Sequence, residues 1–295
     1  MKLNLPRIKK EKENALVIEE KQLKYQFEES KTPAVITFWS PKATGKSMLA
    51  SVFTAVLSKE LAGARICLAD FDLFTPNLPS EGMNLNTVAE MIFRGDFDPK
   101  RFIKSITPVR DYKNVYHLGG LTDVLSLDQF DNNVMDSLLS ALKTEFDYVI
   151  VDAGREINLA PTLAALDIAD VIIIPVIGRA SYIRHVRRFL EFLTKRLCFD
   201  AEKIRVVQNM YANGNFTAKE TANLLQFPVA GVIRKLNDLE ECGLPEVKPD
   251  LCYMMLSLTG IQHNKLSAEK GMRLKPKKAG VRILGRGSRF EGRSI

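Results

Sequence analysis

Cysteine is scarce in this chain: Cys67, Cys198, Cys242 and Cys252 are the only four in 295 residues, and no two form a C-x-x-C pair. That spacing argues against a zinc ribbon, a disulfide framework and a cysteine-held metal cluster. The thiols are expected to be reduced and intracellular. Long apolar runs are missing too. None approaches eighteen residues, so no transmembrane helix is expected. The basic opening, MKLNLPRIKKEKEN, is followed by no apolar h-region, which argues against a signal peptide and for a cytoplasmic protein. Most of the chain also lacks a charge bias. The net charge is +7, but residues 265–295 alone carry +8, which leaves −1 for residues 1–264.

What is present is a core-forming composition, 46% hydrophobic, over a length that suits one large α/β domain or two smaller ones. Residues 1–31 form a charged arm without a convincing apolar period, and from about residue 265 the chain turns to Gly, Lys and Arg, a composition expected to be disordered. Between them, residues 32–264 alternate apolar runs with helical patterns. Strands are expected at Ala34–Trp39, Arg65–Asp70, Val115–Leu118, Tyr148–Asp152, Val171–Val176, Ile204–Asn209 and Val229–Ile233. Helices are expected at Ser47–Ala62, Thr87–Arg94, Asn133–Glu145, Tyr182–Leu197, Thr217–Leu225 and Lys235–Cys242. Runs such as VIIIPV suit strands buried on both faces. Strand alternating with helix predicts an α/β, doubly wound, mostly parallel sheet of about seven strands with helices on both faces. Ligands bind such sheets at the carboxyl ends of the strands.

The organising stretch is Ala34–Leu61, an apolar strand, a turn containing Pro41 and Gly45, and an amphipathic helix. Ala43-Thr44-Gly45-Lys46-Ser47-Met48 reads as the end of a P-loop, in which backbone N–H groups and the helix N-terminus cradle phosphates. Lys46 stands where a lysine reaches the β/γ-phosphates, and Ser47 where a hydroxyl holds Mg²⁺. A bare Gly-Lys-Ser/Thr triplet arises by chance in about one chain in seven of this length, so the argument needs further elements. The next strand supplies Asp70 and Asp72, which alternation turns to the same side. Two close carboxylates are costly unless a cation or water-mediated chemistry offsets their repulsion. The third element is FDYVIVDAG, an apolar strand ending in Asp152, as in a Walker B strand, with Gly154 able to bring its backbone near a γ-phosphate.

The order SPKATGKS, LADFDLFTPNL, FDYVIVDAG resembles the deviant-Walker-A ATPases of the ParA/MinD family over roughly residues 32–245. The resemblance implies a P-loop NTPase fold and an ATP- and Mg²⁺-dependent ATPase that dimerises with ATP. It assigns Asp70 to the switch region beside Mg²⁺, Asp72 to the attacking water, Asp152 to the Walker B position and Asn209 to the adenine. In this family a lysine near the start of the loop crosses to the partner's phosphates. That position is Pro41 here, and the nearest lysine is Lys42, which either serves from a shifted loop or is a solvated side chain. The metal set implied is Ser47, Asp70 and Asp152, and the catalytic set Asp72, Lys46 and Lys42.

Such a switch acts on DNA partition or on the position of DNA or a protein machine, with a stimulating partner protein. Non-specific DNA has two candidate contacts: the basic tail, and Arg184, Arg187 and Arg188 on the helical pattern that includes YIRHVRRFLEFLTKRL. Membrane attachment is not expected, because the terminal GVRILGRGSRFEGRSI has four glycines and too few apolar residues for an amphipathic helix. The alternative is a weakly or non-hydrolysing nucleotide-bound scaffold that positions a pilus, secretion or conjugation machine through protein partners.

Overall fold

The computed structural model describes residues 35–76, 82–110, 112–235 and 249–260. All belong to one compact unit, Met1–Gln262. A second unit, His263–Ile295, lies outside the described residues, as do the N-terminal arm and the basic tail.

Eight strands form one sheet: β1 (Val35–Phe38), β2 (Ile66–Phe71), β3 (Pro108–Val109), β4 (Tyr112–Leu118), β5 (Tyr148–Ala153), β6 (Val171–Ile177), β7 (Ile204–Tyr211) and β8 (Val229–Arg234). Their order is β3-β4-β2-β5-β1-β6-β7-β8, and every pairing is parallel except the antiparallel contact of β3 with β4. The seven expected strands are all present. β3 is the extra one, a two-residue edge strand opened by Pro108, which an edge tolerates because no ladder donor is needed there. Pro175 in β6 lies beyond Ile173, the last partner of β1, so no bond to β1 is lost.

Alternation along the strands divides the interior into two cores. Val35, Cys67, Ala69, Val149, Val151, Ile172 and Ile174 face one layer, packed by α2 (Leu85–Arg94), α3 (Pro99–Lys104), α4 (Asn132–Glu145), α5 (Ala160–Asp167) and α6 (Ala180–Lys195). Ile36, Phe38, Ile66, Leu68, Ile150 and Ile173 face the other layer, where α1 (Lys46–Glu60) and α8 (Pro249–Thr259) lie. Phe53 of α1 stacks at 5.8 Å against Phe38. Burying each such side chain contributes about 1.5–3 kcal/mol. The remaining helix, α7 (Ala218–Leu225), opens with a capping box in which Thr217 and Glu220 satisfy each other's backbone N–H groups.

Five of the six expected helices appear, starting within about two residues of their predicted positions. The expected helix Lys235–Cys242 falls almost wholly outside the described residues. Three helices were not predicted. α3 is a six-residue segment announced only by its Asp98 cap and Pro99 at the first position. α5 and α8 are mainly apolar and show no single stripe. α5 buries Pro161, Thr162, Ala164, Ala165 and Leu166 on several sides, and α8 places Met254, Met255, Leu256 and Leu258 in the core.

β1 sits between two strands that come much later in the chain. From β1 the chain crosses over to β2 on one side, and after β5 it turns back to β6 on the other. A crevice forms at such a reversal, outside the carboxyl ends of the strands. No helix among the described residues is long and apolar enough to cross a membrane.

Candidate functional site

The loop after β1 is anchored at both ends. The Trp39 N–H donates to the Ile173 carbonyl at 3.0 Å, and Gly45 caps α1 with φ +77°. Glycine is required there on two counts. A Cβ would be strained in the left-handed region, and it would lie 2.7 Å from Asn209 Nδ2 and 2.8 Å from Met210 Cε. Asn209 Nδ2 donates to the Thr44 carbonyl at 2.7 Å, tying the end of β7 to the loop. The side chain expected at the adenine therefore spends one amide hydrogen on holding the loop.

Around this loop, polar atoms are buried and left over. Ser40 Oγ, Thr44 Oγ1 and Asp152 Oδ2 are buried without a hydrogen-bond partner among the described residues. α1 begins with no acidic residue in its first turn and no side-chain cap. Free N–H groups at a helix N-terminus beside unsatisfied buried hydroxyls fit an anion. The sequence had singled out Thr44 but not Ser40.

The three carboxylates converge from adjacent strands. Asp70 and Asp152 are direct register partners across β2 and β5, and both carry the parity that faces the α1 layer. Asp72 follows immediately after β2. All three are buried, as is Lys46. Lys46 Nζ lies 2.5 Å from Asp152 Oδ1 and 3.4 Å from Asp72 Oδ2. The Asp72 N–H donates to Asp70 Oδ1 at 3.0 Å, and the Thr75 N–H to Asp72 Oδ1 at 3.0 Å, so Asp70 and Asp72 are oriented by backbone. Burial pushes the Asp152 carboxyl above its ordinary pKa, while Lys46 and the Ser47 hydroxyl pull it down and Asp72 pushes it up.

Two glycines let the strands approach. A Cβ on Gly154 would meet Thr162 Oγ1 at 3.1 Å and the Phe71 carbonyl at 3.3 Å. Gly120, which the sequence reading missed, lies so close that a Cβ would meet Pro76 Cβ at 2.6 Å and Asp70 Cγ at 3.2 Å. Its signal was the Gly119-Gly120 pair just past β4. Met48 is half-buried and packs on the α1-side core.

Among the described residues, no group of three or more His, Cys, Asp or Glu side chains is arranged to hold a metal. Mg²⁺ is served by fewer protein ligands, typically one or two carboxylates completed by phosphate and water, and the orphaned Asp152 Oδ2 beside Ser47 and Asp70 fits that pattern.

Lys42 does not join this cluster. Its Nζ stands 5.2 Å over the Tyr182 ring on α6. Desolvation, with the charges of Lys42 and Arg188, pushes His185 below its ordinary pKa. The three α6 arginines also divide. Arg187 bonds Glu191 Oε1 (3.1 Å), the Leu224 carbonyl (3.3 Å) and Gln226 Oε1 (2.6 Å), bracing α6 against α7. Arg184 and Arg188 are exposed on the outer face.

No protein-family model matches the sequence, and no curated protein is similar to it by sequence. Solved structures do match the fold. A ParA family ATPase from Chlorobium tepidum TLS superposes with a TM-score of 0.56 at 17% identity, over 82% of this chain and 94% of that one. The septum site-determining protein MinD of Pyrococcus horikoshii OT3, complexed with Mg-ADP, gives 0.58 at 19%, over 76% and 94%. A plasmid partition protein of Borrelia burgdorferi B31 bound to AMPPNP gives 0.56 at 19%, over 78% and 98%. The chain thus shares the P-loop fold of the ParA and MinD ATPases.

Proposed function

We propose that this protein is a nucleotide-switched ATPase of ParA/MinD type that dimerises with ATP. The observation that carries the reading is the Lys46–Asp152–Asp72 cluster at the head of α1, flanked by buried hydroxyls without partners. An ammonium group between two buried carboxylates is an internal stand-in for a charge balance that a phosphate and a cation would complete. Lys46 gives up Asp152 to reach the β/γ-phosphates, and Asp152 is then available to the metal shell. Ser47, Asp70 and Asp152 would hold Mg²⁺, which would supply charge neutralisation on the phosphates. Asp72, fixed by the Thr75 N–H, accepts a hydrogen bond from the attacking water. Gly45, Thr44 and Met48 shape the loop and the start of α1, Asn209 locks the loop to β7, and Gly154 brings the turn after β5 close to the γ-phosphate.

Turnover of this kind sets the lifetime of a dimer and of whatever it holds. Non-specific DNA is the cargo contact that the exposed Arg184 and Arg188 and the +8 tail favour. A partner protein would stimulate turnover, and the setting is the cytoplasm. The scaffold reading has one observation in its favour: Pro41 occupies the usual lysine position while Lys42 rests on Tyr182. Nucleotide binding and hydrolysis, measured on wild type, Lys46→Ala and Asp72→Ala, separate the two. The switch reading expects Lys46→Ala to lose nucleotide, and Asp72→Ala to form an ATP dimer without turnover. A wild type that binds ATP and never releases phosphate leaves the scaffold. DNA binding with ATP, ADP or no nucleotide, for full-length protein and a 1–264 truncation, tests the cargo. Binding that ignores the nucleotide would make the tail a passive polycation.

A further inference from the structure

Among the described residues of the loop, no cation beyond Lys46 is placed to meet charge that develops during hydrolysis. Lys46 is the lysine assigned to the bound phosphates, Lys42 rests on Tyr182, and Pro41 brings neither a charge nor a backbone N–H. Charge that develops as the β–γ bond breaks is ordinarily met by a preorganised positive group. The turn after β5 carries one. Arg155 follows Gly154 directly, three residues beyond Asp152, at the carboxyl edge where the loop after β1 and the end of β2 meet. It is exposed and has no ion-pair partner among the described residues, although Glu156 is its neighbour in sequence. An exposed arginine without an ion-pair partner at the rim of a phosphate crevice is free to reach a second copy seated on the same rim.

Resting on the switch reading above, we infer that Arg155 is a catalytic residue acting across the dimer, with its guanidinium placed against the γ-phosphate in the partner's site. The water oxygen forms a bond to the γ-phosphorus, the bond from phosphorus to the β–γ bridging oxygen breaks, and its electron pair leaves on ADP. The water proton passes to phosphate and solvent. Arg155 exchanges no proton. It lowers the barrier by stabilising negative charge, which suits a planar, charged, multidentate donor.

The test uses full-length protein. Arg155→Ala should lose ATP turnover by about a hundredfold or more while retaining ATP binding, and Arg155→Lys should fall between the two. Action in trans has its own readout. An Arg155→Ala protomer has an intact pocket but no guanidinium to give, and an Asp72→Ala protomer has the reverse. Mixed in equal amounts, the two inactive proteins should recover about a quarter of the wild-type rate, since half the dimers are mixed and each has one complete site. A readout independent of turnover is the dimer formed with ADP and aluminium fluoride, followed by light scattering. Arg155→Ala should fail to trap it and Arg179→Ala, an exposed arginine at the start of α6, should trap it normally.

Wild-type turnover in Arg155→Ala overturns the inference alone, as does an equal loss in Arg179→Ala, which would mark a general effect of surface charge. Loss in Arg155→Ala without recovery on mixing overturns the action across the dimer. A wild type that binds ATP without hydrolysing it overturns the switch reading, and this inference with it.

Discussion

Replacing Lys46 with Met should destabilise the fold as well as remove phosphate binding, and the two effects have one cause. The substitution keeps most of the side chain's volume and takes away the ammonium. Asp152 (0% exposed) and Asp72 (2%) then lose their shared cation, with Asp70 (0%) beside them. Breaking a buried pair by removing one partner costs about 3–5 kcal/mol, because the remaining charge stays desolvated. Asp152 can relieve part of this by taking up a proton. Its folded pKa is already raised above the ordinary carboxylate value by burial, and loss of Lys46 raises it further. A raised carboxyl pKa contributes stability that is present below the unfolded value and lost as pH rises through the folded value. The penalty of Lys46→Met should therefore be largest at pH 7 and above, and shrink as the pH falls toward 5. Urea unfolding of wild type and variant at pH 7.5 and 5.5 reads this directly, since titrations away from the cluster are common to both proteins. Adding Asp152→Asn should restore most of the lost stability, as a neutral pair lacks the stranded charge. A penalty under about 1 kcal/mol, or one equal at both pH values, would refute the reasoning.

Gly45→Ala should cost about 1–3 kcal/mol through its positive φ alone. It should also weaken ATP binding by displacing Asn209 from Thr44, which a fluorescent nucleotide titration would report. His117, buried with Nε2 unpartnered, has its pKa lowered to about 4 by desolvation. A depressed histidine contributes stability present above pH 6.5 and lost as pH falls toward 4, worth a few kcal/mol over that window. His117→Leu should flatten that part of the acid unfolding curve. Arg187→Ala, which removes the brace between α6 and α7, should lower the urea midpoint by the equivalent of about 1 kcal/mol and leave ATP binding unchanged.

How much of this could be read in advance depended on whether the signal was local. The loop Ser40–Ser47 was legible because strand, glycine, lysine and helix succeed one another within a few residues. β5 and β6 were legible because strands buried on both faces read as unbroken apolar runs. α5 and α8 were not, because a mainly apolar helix covered on several sides shows no polar face. The aspartates were found singly, but the direct pairing of Asp70 with Asp152 depends on β2 lying beside β5, which strand order alone decides. Asn209 was assigned to the adenine from its place at the end of a strand; that its amide also holds the Thr44 carbonyl depends on β7 reaching the loop, which no local signal gives. The partition of the α6 arginines followed from α7, whose Leu224 and Gln226 capture Arg187. Gly120 matters only because Asp70 and Pro76 close on it, and neither is near it in sequence.

The tie between Asn209 and Thr44 spans 165 residues, and the salt bridge between Lys46 and Asp152 spans 106. During synthesis the loop emerges long before either partner exists. At about 5–20 residues per second, some 8–30 s pass between the appearance of Thr44 and that of Asn209. β1 has neither of its sheet neighbours until β5 begins at Tyr148, and lacks the second until β6 begins at Val171. An unpaired apolar strand is a template for wrong partners. The nascent chain therefore carries an unpaired apolar strand early and completes its pairing late. Its yield in a cell should depend on the pace of translation and on chaperones that cover Val35–Phe38 until β6 arrives.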